Sequence, residues 1–342
     1  SGTLWAWGNN SSGQLGIGNA SNSPLIITPV QIGSATNWTH VAAGNNFTMA
    51  LNSSGQMFTW GNDDNGQLGN GALPAVFAPT QIASGSKWIV IEAGDNYAMA
   101  IRSDGMLFSW GSNNQGQLGI GNLINQNTPT LVPSVLPWIG ISCGQSGATS
   151  NIQHSLGLKA NGTAYSWGNN ITGALGNNQT TGILNTPTAL NPNINNIIAV
   201  ECGWGVSYIR DASGQVYASG SDSTGAVGNS QPLTSTNAFI QISVIPIGWS
   251  SISAGQNYTV ALKSNGTLWL WGANSNGQLA NGSVTPALLA TATQIGTSNN
   301  WKMVSAGTNH IFAINALGEL YAWGNNSNGQ IGNNTTGGNV TT

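Results

Sequence analysis

Charged side chains are scarce in this chain of 342 residues, which contains 6 Lys and Arg and 9 Asp and Glu, or 4 % of the sequence. Ordinary globular proteins carry about 25 %. The basic residues are scattered singly, which argues against a nucleic-acid partner, since such binding relies on a basic patch. They are Lys87, Arg102, Lys159, Arg210, Lys263 and Lys302. Disorder is also disfavoured, because 39 % of the residues are hydrophobic and the net charge is only −3.

Long apolar runs are also lacking, so no segment approaches the roughly 18 residues of a membrane span, and we expect no membrane insertion. No signal peptide or Met precedes Ser1, and the chain opens inside a repeat, which indicates a processed or excerpted sequence. The two cysteines, Cys143 and Cys202, occupy the same repeat position. They are interpreted either as small buried residues in place of Ala or as a disulfide between neighbouring repeats, which requires Cα atoms within about 7 Å.

What the sequence has in abundance is one motif, which reads W-G-x-N-x-x-G-Q-L-G. Its copies begin at Trp7, Trp60, Trp110, Trp167, Ser219, Trp271 and Trp323, with spacings of 53, 50, 57, 52, 52 and 52 residues. A fixed period in this range is typical of repeat architectures. The motif therefore predicts one closed or stacked domain over residues 1–342.

Each repeat predicts four β-strands. In residues 249–280, short apolar segments rich in β-branched and aromatic residues are separated by turn sequences such as Ser264-Asn265-Gly266, which is a hairpin signal. A fourth strand follows the motif, as at Pro79-Thr80-Gln81-Ile82, where the Pro suits an edge strand. No apolar period of 3.6 residues indicates a helix. The predicted fold class is all-β.

The full pattern, A-G-x-x-x-x-x-A-L-x-x-x-G-x-L-x-x-W-G-x-N-x-x-G-Q-L-G, resembles the regulator of chromosome condensation repeat over essentially the whole chain. This resemblance implies a seven-bladed β-propeller of four-stranded antiparallel blades. Departures are local: Ser219 replaces the motif Trp, Ala280 replaces the last Gly, and the copies at 167 and 219 read G-A-L-G and G-A-V-G.

One blade is expected to be incomplete, because the first repeat unit opens at Gly2, already within the third strand. Three explanations stay open. The chain is trimmed from a longer one, the ring tolerates a partial blade, or another chain donates the missing strands to the open edge. The last explanation would make the protein a polymerising subunit.

No catalytic, cofactor or metal site is predicted. Glu92 and Glu201 alone are placed to approach a central channel from non-adjacent blades, and the alternative is that they are solvated strand ends. The sequence Asn62-Asp63-Asp64-Asn65-Gly66 resembles an oxygen-rich calcium loop, but the other six copies keep the loop length with fewer carboxylates. The histidines are too dispersed for a zinc site.

Residues that depart from the repeat are the candidates for partner binding. Trp5 and Trp269 are equivalent to each other and lie outside the shared Trp positions, while Trp204 follows Cys202-Gly203 on a turn. An insertion of seven residues around Ser146–Gln153 predicts a loop on one rim, with Ser146 and Gln153 at its ends. Asn-x-Ser/Thr sequons allow glycans.

These observations predict a non-enzymatic protein-binding or structural assembly module, extracellular, on a cell surface or in a virion, with a protein partner or a second copy as its ligand. Strand donation to the incomplete blade would polymerise it. An alternative is a soluble secreted inhibitor or an adhesin-like binder. A third reading, a lyase or glycosidase, needs carboxylates that converge in the propeller mouth.

Overall fold

A computed structural model describes residues 2–18, 25–71, 74–145, 152–190, 194–230, 233–242 and 248–341. These residues form 26 β-strands and no helix. In chain order the strands are β1 (Trp5–Asn9), β2 (Leu25–Gln31), β3 (Trp38–Ala43), β4 (Phe47–Asn52), β5 (Met57–Gly61), β6 (Val76–Ile82), β7 (Trp88–Ala93), β8 (Tyr97–Arg102), β9 (Leu107–Gly111), β10 (Gln126–Leu131), β11 (Trp138–Cys143), β12 (His154–Lys159), β13 (Ala164–Asn169), β14 (Ile183–Ala189), β15 (Ile197–Cys202), β16 (Val206–Asp211), β17 (Val216–Gly220), β18 (Thr236–Gln241), β19 (Trp249–Ala254), β20 (Tyr258–Lys263), β21 (Leu268–Ala273), β22 (Leu288–Gln294), β23 (Trp301–Ala306), β24 (His310–Asn315), β25 (Leu320–Asn325) and β26 (Asn339–Val340).

The strands form six four-stranded antiparallel sheets and one two-stranded sheet. The four-stranded sheets, blades I to VI, are β3–β6, β7–β10, β11–β14, β15–β18, β19–β22 and β23–β26, and β1 pairs with β2. The predicted all-β propeller is confirmed. The predicted count of seven blades is not confirmed, because six four-stranded blades are found in the described residues.

The blades are arranged around a channel that their first strands line, since first strands of neighbouring blades contact each other. Each first strand starts at one rim, which we call the lower rim. The lower rim also carries the turns between second and third strands, such as residues 103–106. The opposite, upper rim carries the turns between first and second strands and the W-G-x-N loops.

Neighbouring sheets are joined by the motif Trp. In six copies its indole N–H donates to a main-chain carbonyl in the motif loop of the preceding sheet, at 2.7–2.9 Å. Trp7 donates to Gln330 and so joins the β1–β2 sheet to blade VI. A Cβ on Gly69, whose φ is +68°, would lie 2.6 Å from Trp110 Nε1, so the last motif Gly makes room for the ring.

Ser219 shows how the ring tolerates the loss of one motif Trp. Its hydroxyl donates to the Gly173 carbonyl at 2.8 Å, which replaces the indole hydrogen bond. The ring of Phe239, on β18, packs against Gly176 where other blades place the motif indole. The hydrogen bond and the aromatic volume are therefore both kept, but by two residues.

The motif loop is held by one buried side chain in all seven copies. The oxygen of its Asn or Asp accepts the main-chain N–H five residues later, at 2.9–3.1 Å. In blade II the amide of Asn113 also donates to the Asn122 carbonyl at 2.9 Å. Asp63 and Asp222 have no amide to donate, and their second oxygen is buried without a hydrogen-bond partner.

Replacing Asp63 by Asn is expected to stabilise the protein. Burial raises the pKa of Asp63 to about 6, so the native state favours the protonated acid, and that contribution is lost as pH rises through 6. At neutral pH the substitution should therefore raise the free energy of unfolding by about 1 kcal/mol, and by less in acid. Urea denaturation at both pH values measures this. Asp64→Asn, at the exposed neighbour, is the control, and an equal gain there would contradict the explanation.

Candidate functional site

Three blades of the channel wall are joined to the next blade by a contact from the fifth residue of the first strand. Ser142 Oγ accepts the N–H of Cys202 at 2.9 Å, and Ser253 Oγ accepts the N–H of Ala306 at 3.1 Å. Glu201 occupies the same position in blade IV, and its carboxyl accepts the N–H of Ala254 at 3.2 Å. This carboxyl therefore joins two blades, as the serines do.

Glu92 and Glu201 come within electrostatic range of each other, which is the less favoured of the two interpretations that the sequence left open. Burial, followed by repulsion from Glu201, raises the pKa of Glu92 to about 8. Burial raises the pKa of Glu201 to about 7, against the hydrogen bonds from Ala254 and Ser253. Glu201 also borders a groove of about 280 Å³ between blades IV and V, together with Tyr208 and Arg210. The pair therefore holds protons near neutral pH.

The two cysteines lie in this wall as buried free thiols, so the disulfide interpretation is wrong for this structure. Cys202 Sγ donates to the Ser142 carbonyl at 3.3 Å. Burial raises the pKa of both thiols well above its usual value. Such thiols are neutral and poorly reactive, and the interpretation as small buried residues agrees with this environment.

The residues predicted to bind a partner do not come together. Trp204 lies on the upper rim, partly buried, whereas Trp5, which is 49 % exposed, and Trp269 are on third strands near the lower rim. Gln153 is buried and accepts a hydrogen bond from Gln117. Ser146 lies outside the described residues.

The lower rim carries an apolar feature that the sequence analysis missed. Ile89, Ile139 and Ile198 are the second residues of three consecutive first strands, each at a β-bulge, and are 49, 52 and 48 % exposed. Val135, in the loop before β11, is 96 % exposed. The available signal was an Ile directly after the opening residue in three successive repeats.

Across the described ranges no group of three or more His, Cys, Asp and Glu side chains is arranged to hold a metal ion. Among the same residues there is no helix with the length and apolar character needed to cross a membrane. Glycans and self-association stay predictions.

The radial sheets and the motif contacts define a repeat-type β-propeller. The model of the regulator of chromosome condensation (RCC1) repeat matches residues 1–51, 54–101, 104–149, 161–209 and 265–314. A second model of this repeat matches residues 38–67, 88–117, 249–278 and 302–330. The chain belongs to the RCC1 repeat family, which confirms the resemblance seen in the motif.

Relatives are found in sequence and in structure. The chain is 29 % identical to the ultraviolet-B receptor UVR8 of Arabidopsis thaliana, over 96 % of this chain and 62 % of the receptor. It is 32 % identical to a secretion-regulating guanine nucleotide exchange factor of Bos taurus, over 39 % of this chain and 30 % of that protein. The structure of Prp20p from Saccharomyces cerevisiae has a TM-score of 0.85 and 21 % identity, over 99 % of this chain and 84 % of Prp20p.

These relatives correct the predicted location. An extracellular, cell-surface or virion protein was expected from the low charge of the sequence, and this expectation is wrong, because the relatives are intracellular regulators. Prp20p is described with its binding to Gsp1p and histones. Low charge instead reflects a ring held by neutral hydrogen bonds and by packing.

Stability is expected to fall as pH rises through neutrality. The pKa values of Glu92 and Glu201 are raised above the unfolded value of 4.5, so their protonation stabilises the native state at low pH and is lost as pH approaches 8. Burial lowers the pKa of His154 and His310 from 6.5 to about 4, so their effect is confined to pH below 6.5. Between neutral pH and about pH 8.5 we expect the free energy of unfolding to fall by about 1–3 kcal/mol.

Denaturation of the double variant Glu92→Gln, Glu201→Gln tests this, because amides do not titrate and the curve should flatten. Glu319→Gln, at an exposed carboxyl on the lower rim, should keep the wild-type slope. An unchanged slope in the double variant would show that other groups cause the fall.

Proposed function

We propose that this protein is a protein-binding, regulatory RCC1-type propeller, and that its partner docks on the lower rim. The observation that carries the proposal is the set of half-exposed isoleucines, Ile89, Ile139 and Ile198, at one repeat position in adjacent blades. Exposed apolar side chains grouped on a folded surface are typical of interaction sites. Binding of Gsp1p and histones by Prp20p is consistent with this kind of role.

The channel carboxyl of Glu201 has a structural role rather than a catalytic one in this proposal. Glu201 accepts a main-chain hydrogen bond from the next blade, at the position where Ser142 and Ser253 do the same. A shared structural role accounts for this side chain without a substrate. A lyase or glycosidase function therefore has little support from the channel.

We also propose that β1 and β2 are the outer half of a seventh blade, so that residues 1–342 contribute to one ring. The register supports this, because β1 pairs with β2 as β5 pairs with β6, including the irregularity before the motif Gly. Trp7 makes the same hydrogen bond as the other motif Trp residues. The sheet thus takes the place of a blade between blades VI and I.

Removing the isoleucines should weaken partner binding. The triple variant Ile89→Ser, Ile139→Ser, Ile198→Ser is expected to lose at least about tenfold in affinity, since buried apolar anchors dominate interface energies. Quantitative capture from an extract of the source organism, followed by titration of the captured protein, measures this.

The control variant carries Ile124→Ser and Ile171→Ser, which are 67 and 65 % exposed but lie on the upper rim. It should bind as wild type does. Equal binding by both variants would place the partner elsewhere and contradict the proposal.

The open edge of β1 supports a second candidate function, assembly of copies by strand addition. Among the described residues β1 pairs only with β2, whereas the equivalent strand β5 also pairs with β4. An unpaired strand edge is a template for another strand. A second copy that supplied one would link propellers into a polymer.

Light scattering over a range of protein concentrations tests this second candidate. Assembly predicts a molar mass that grows with concentration beyond the 35.1 kDa of one chain. A constant mass of one chain at every concentration would exclude it and leave the protein-binding proposal unaffected.

A further inference from the structure

Five blades carry an aromatic pair at the lower rim, built from the first residue of the first strand and the second residue of the third. The two rings meet edge to face, with centroids 5.0–5.9 Å apart. The pairs are Trp38–Phe58, Trp88–Phe108, Trp138–Tyr165, Trp249–Trp269 and Trp301–Tyr321. The repeat therefore presents ring faces at one place in each of these blades.

Three of these pairs are covered by a cation from the last residue of the second strand. Lys159 Nζ lies 4.7 Å from the ring centroid of Trp138 and 4.2 Å from that of Tyr165, and the lysine is only 5 % exposed. Lys263 Nζ lies 5.1 and 5.0 Å from the rings of Trp249 and Trp269. In blade II the Arg102 guanidinium lies 4.9 Å from Phe108. The pair is thus a site for a cationic side chain.

Blade I has the aromatic pair but no cation of its own. The position of Lys159 is taken by Asn52, as it is by Asn315 in blade VI. Asn52 Oδ1 accepts the N–H groups of Ser54 and Gln56, and its Nδ2 donates to Gln56 Oε1. Its polar atoms are therefore engaged in the turn, and within the described residues no Lys or Arg covers the rings of Trp38 and Phe58.

A cavity lies where the cation is missing. Trp38, Asn52 and Phe58 border a groove of about 610 Å³ between the β1–β2 sheet and blade I, whose apolar wall includes Ile17 and Pro79. We call it the aromatic groove. The Nε1 atoms of Trp38, Trp88, Trp138 and Trp249 are all buried without a hydrogen-bond partner, so this is a feature of the repeat. What distinguishes the aromatic groove is a pair of ring faces beside a cavity and no cation of the same blade.

We propose that the aromatic groove binds a lysine side chain of a partner protein, in the place that Lys159 and Lys263 occupy in their own blades. An ammonium over aromatic faces is favoured by the ring quadrupole. The groove opens at the same rim as Ile89, Ile139 and Ile198, so this inference rests on the proposed function and adds the chemistry of the partner.

The proposal is tested with two small probes that need no knowledge of the partner. N-acetyl-lysine-methylamide carries the ammonium and amide carbonyls, and N-acetyl-norleucine-methylamide is its uncharged counterpart. The indole N–H resonance of Trp38, assigned by its loss in Trp38→Phe, should shift saturably with the lysine probe. The norleucine probe should bind at least about tenfold more weakly.

Asn52→Lys should fill the groove from within the chain, raise the melting temperature and abolish the lysine-probe shift. The turn accepts this residue, because Asn52, Lys159 and Lys263 donate the same main-chain hydrogen bond, at 3.0–3.1 Å. Asn52→Met is the control, since it supplies similar bulk without charge and should raise the melting temperature less.

Lys263→Asn is the reciprocal variant. It should uncover Trp249, whose Nε1 is also buried without a partner, and create a second indole resonance that responds to the lysine probe. Equal shifts with the norleucine probe, or a shift that persists in Asn52→Lys, would overturn the lysine site. The extract capture by the isoleucine variants is independent of these outcomes and so separates failure of this site from failure of the proposed function.

Discussion

The hydrogen bond from one motif indole to a main-chain carbonyl in the motif loop of the preceding sheet is the contact on which the ring depends. It recurs at 2.7–2.9 Å between neighbouring sheets and also joins β1 to blade VI. The indole fits only because a Gly such as Gly69 leaves space for it. In the copy that begins at Ser219, the serine hydroxyl makes the hydrogen bond and the ring of Phe239 fills the space of the indole. The ring of blades therefore keeps both the hydrogen bond and the aromatic packing. Neither the hydrogen bond nor the packing needs a charged group, which explains how the chain folds with so few charged side chains.

The position of each charged residue in the repeat determines where it lies, for example at the lower rim or in the channel wall. All six basic residues lie at or close to the lower rim, because they precede a first strand, begin it or end a second strand. Three of these cations cover aromatic rings. Glu92 and Glu201 instead lie in the channel wall, where burial favours their protonated forms. Arg102, Lys159 and Lys263 thus contribute to packing within single blades.

The positions that distinguish one blade from another are not those where the repeat is visibly broken. Trp204, Ser219 and the insertion attract notice in the sequence, yet Ser219 is compensated by packing and Gln153, at one end of the insertion, is buried. The residue type instead differs between blades at two less conspicuous positions. These are the second residue of the first strand, as in Ile89, and the last residue of the second strand, as in Asn52. The motif holds the ring constant but does not fix the residue type at these rim positions, which is where we propose that the partner is recognised.

The sequence alone determined the strands, their turns, the packing role of the motif and the family, because ladder register, Asn-Gly turns and the motif contact repeat locally in every copy. It did not determine that six four-stranded blades and one two-stranded sheet form, that Cys143 and Cys202 are free thiols, or that repulsion from Glu201 raises the pKa of Glu92. It also did not show that Lys159 covers an aromatic pair, whereas Asn52, which ends the second strand of blade I, leaves its pair uncovered. Only the tertiary structure decided these features, because each depends on neighbours from strands far apart in the chain. The repeated motif makes the fold predictable. It also gives equivalent positions the same sequence context, so their different contacts are seen only in the assembled ring.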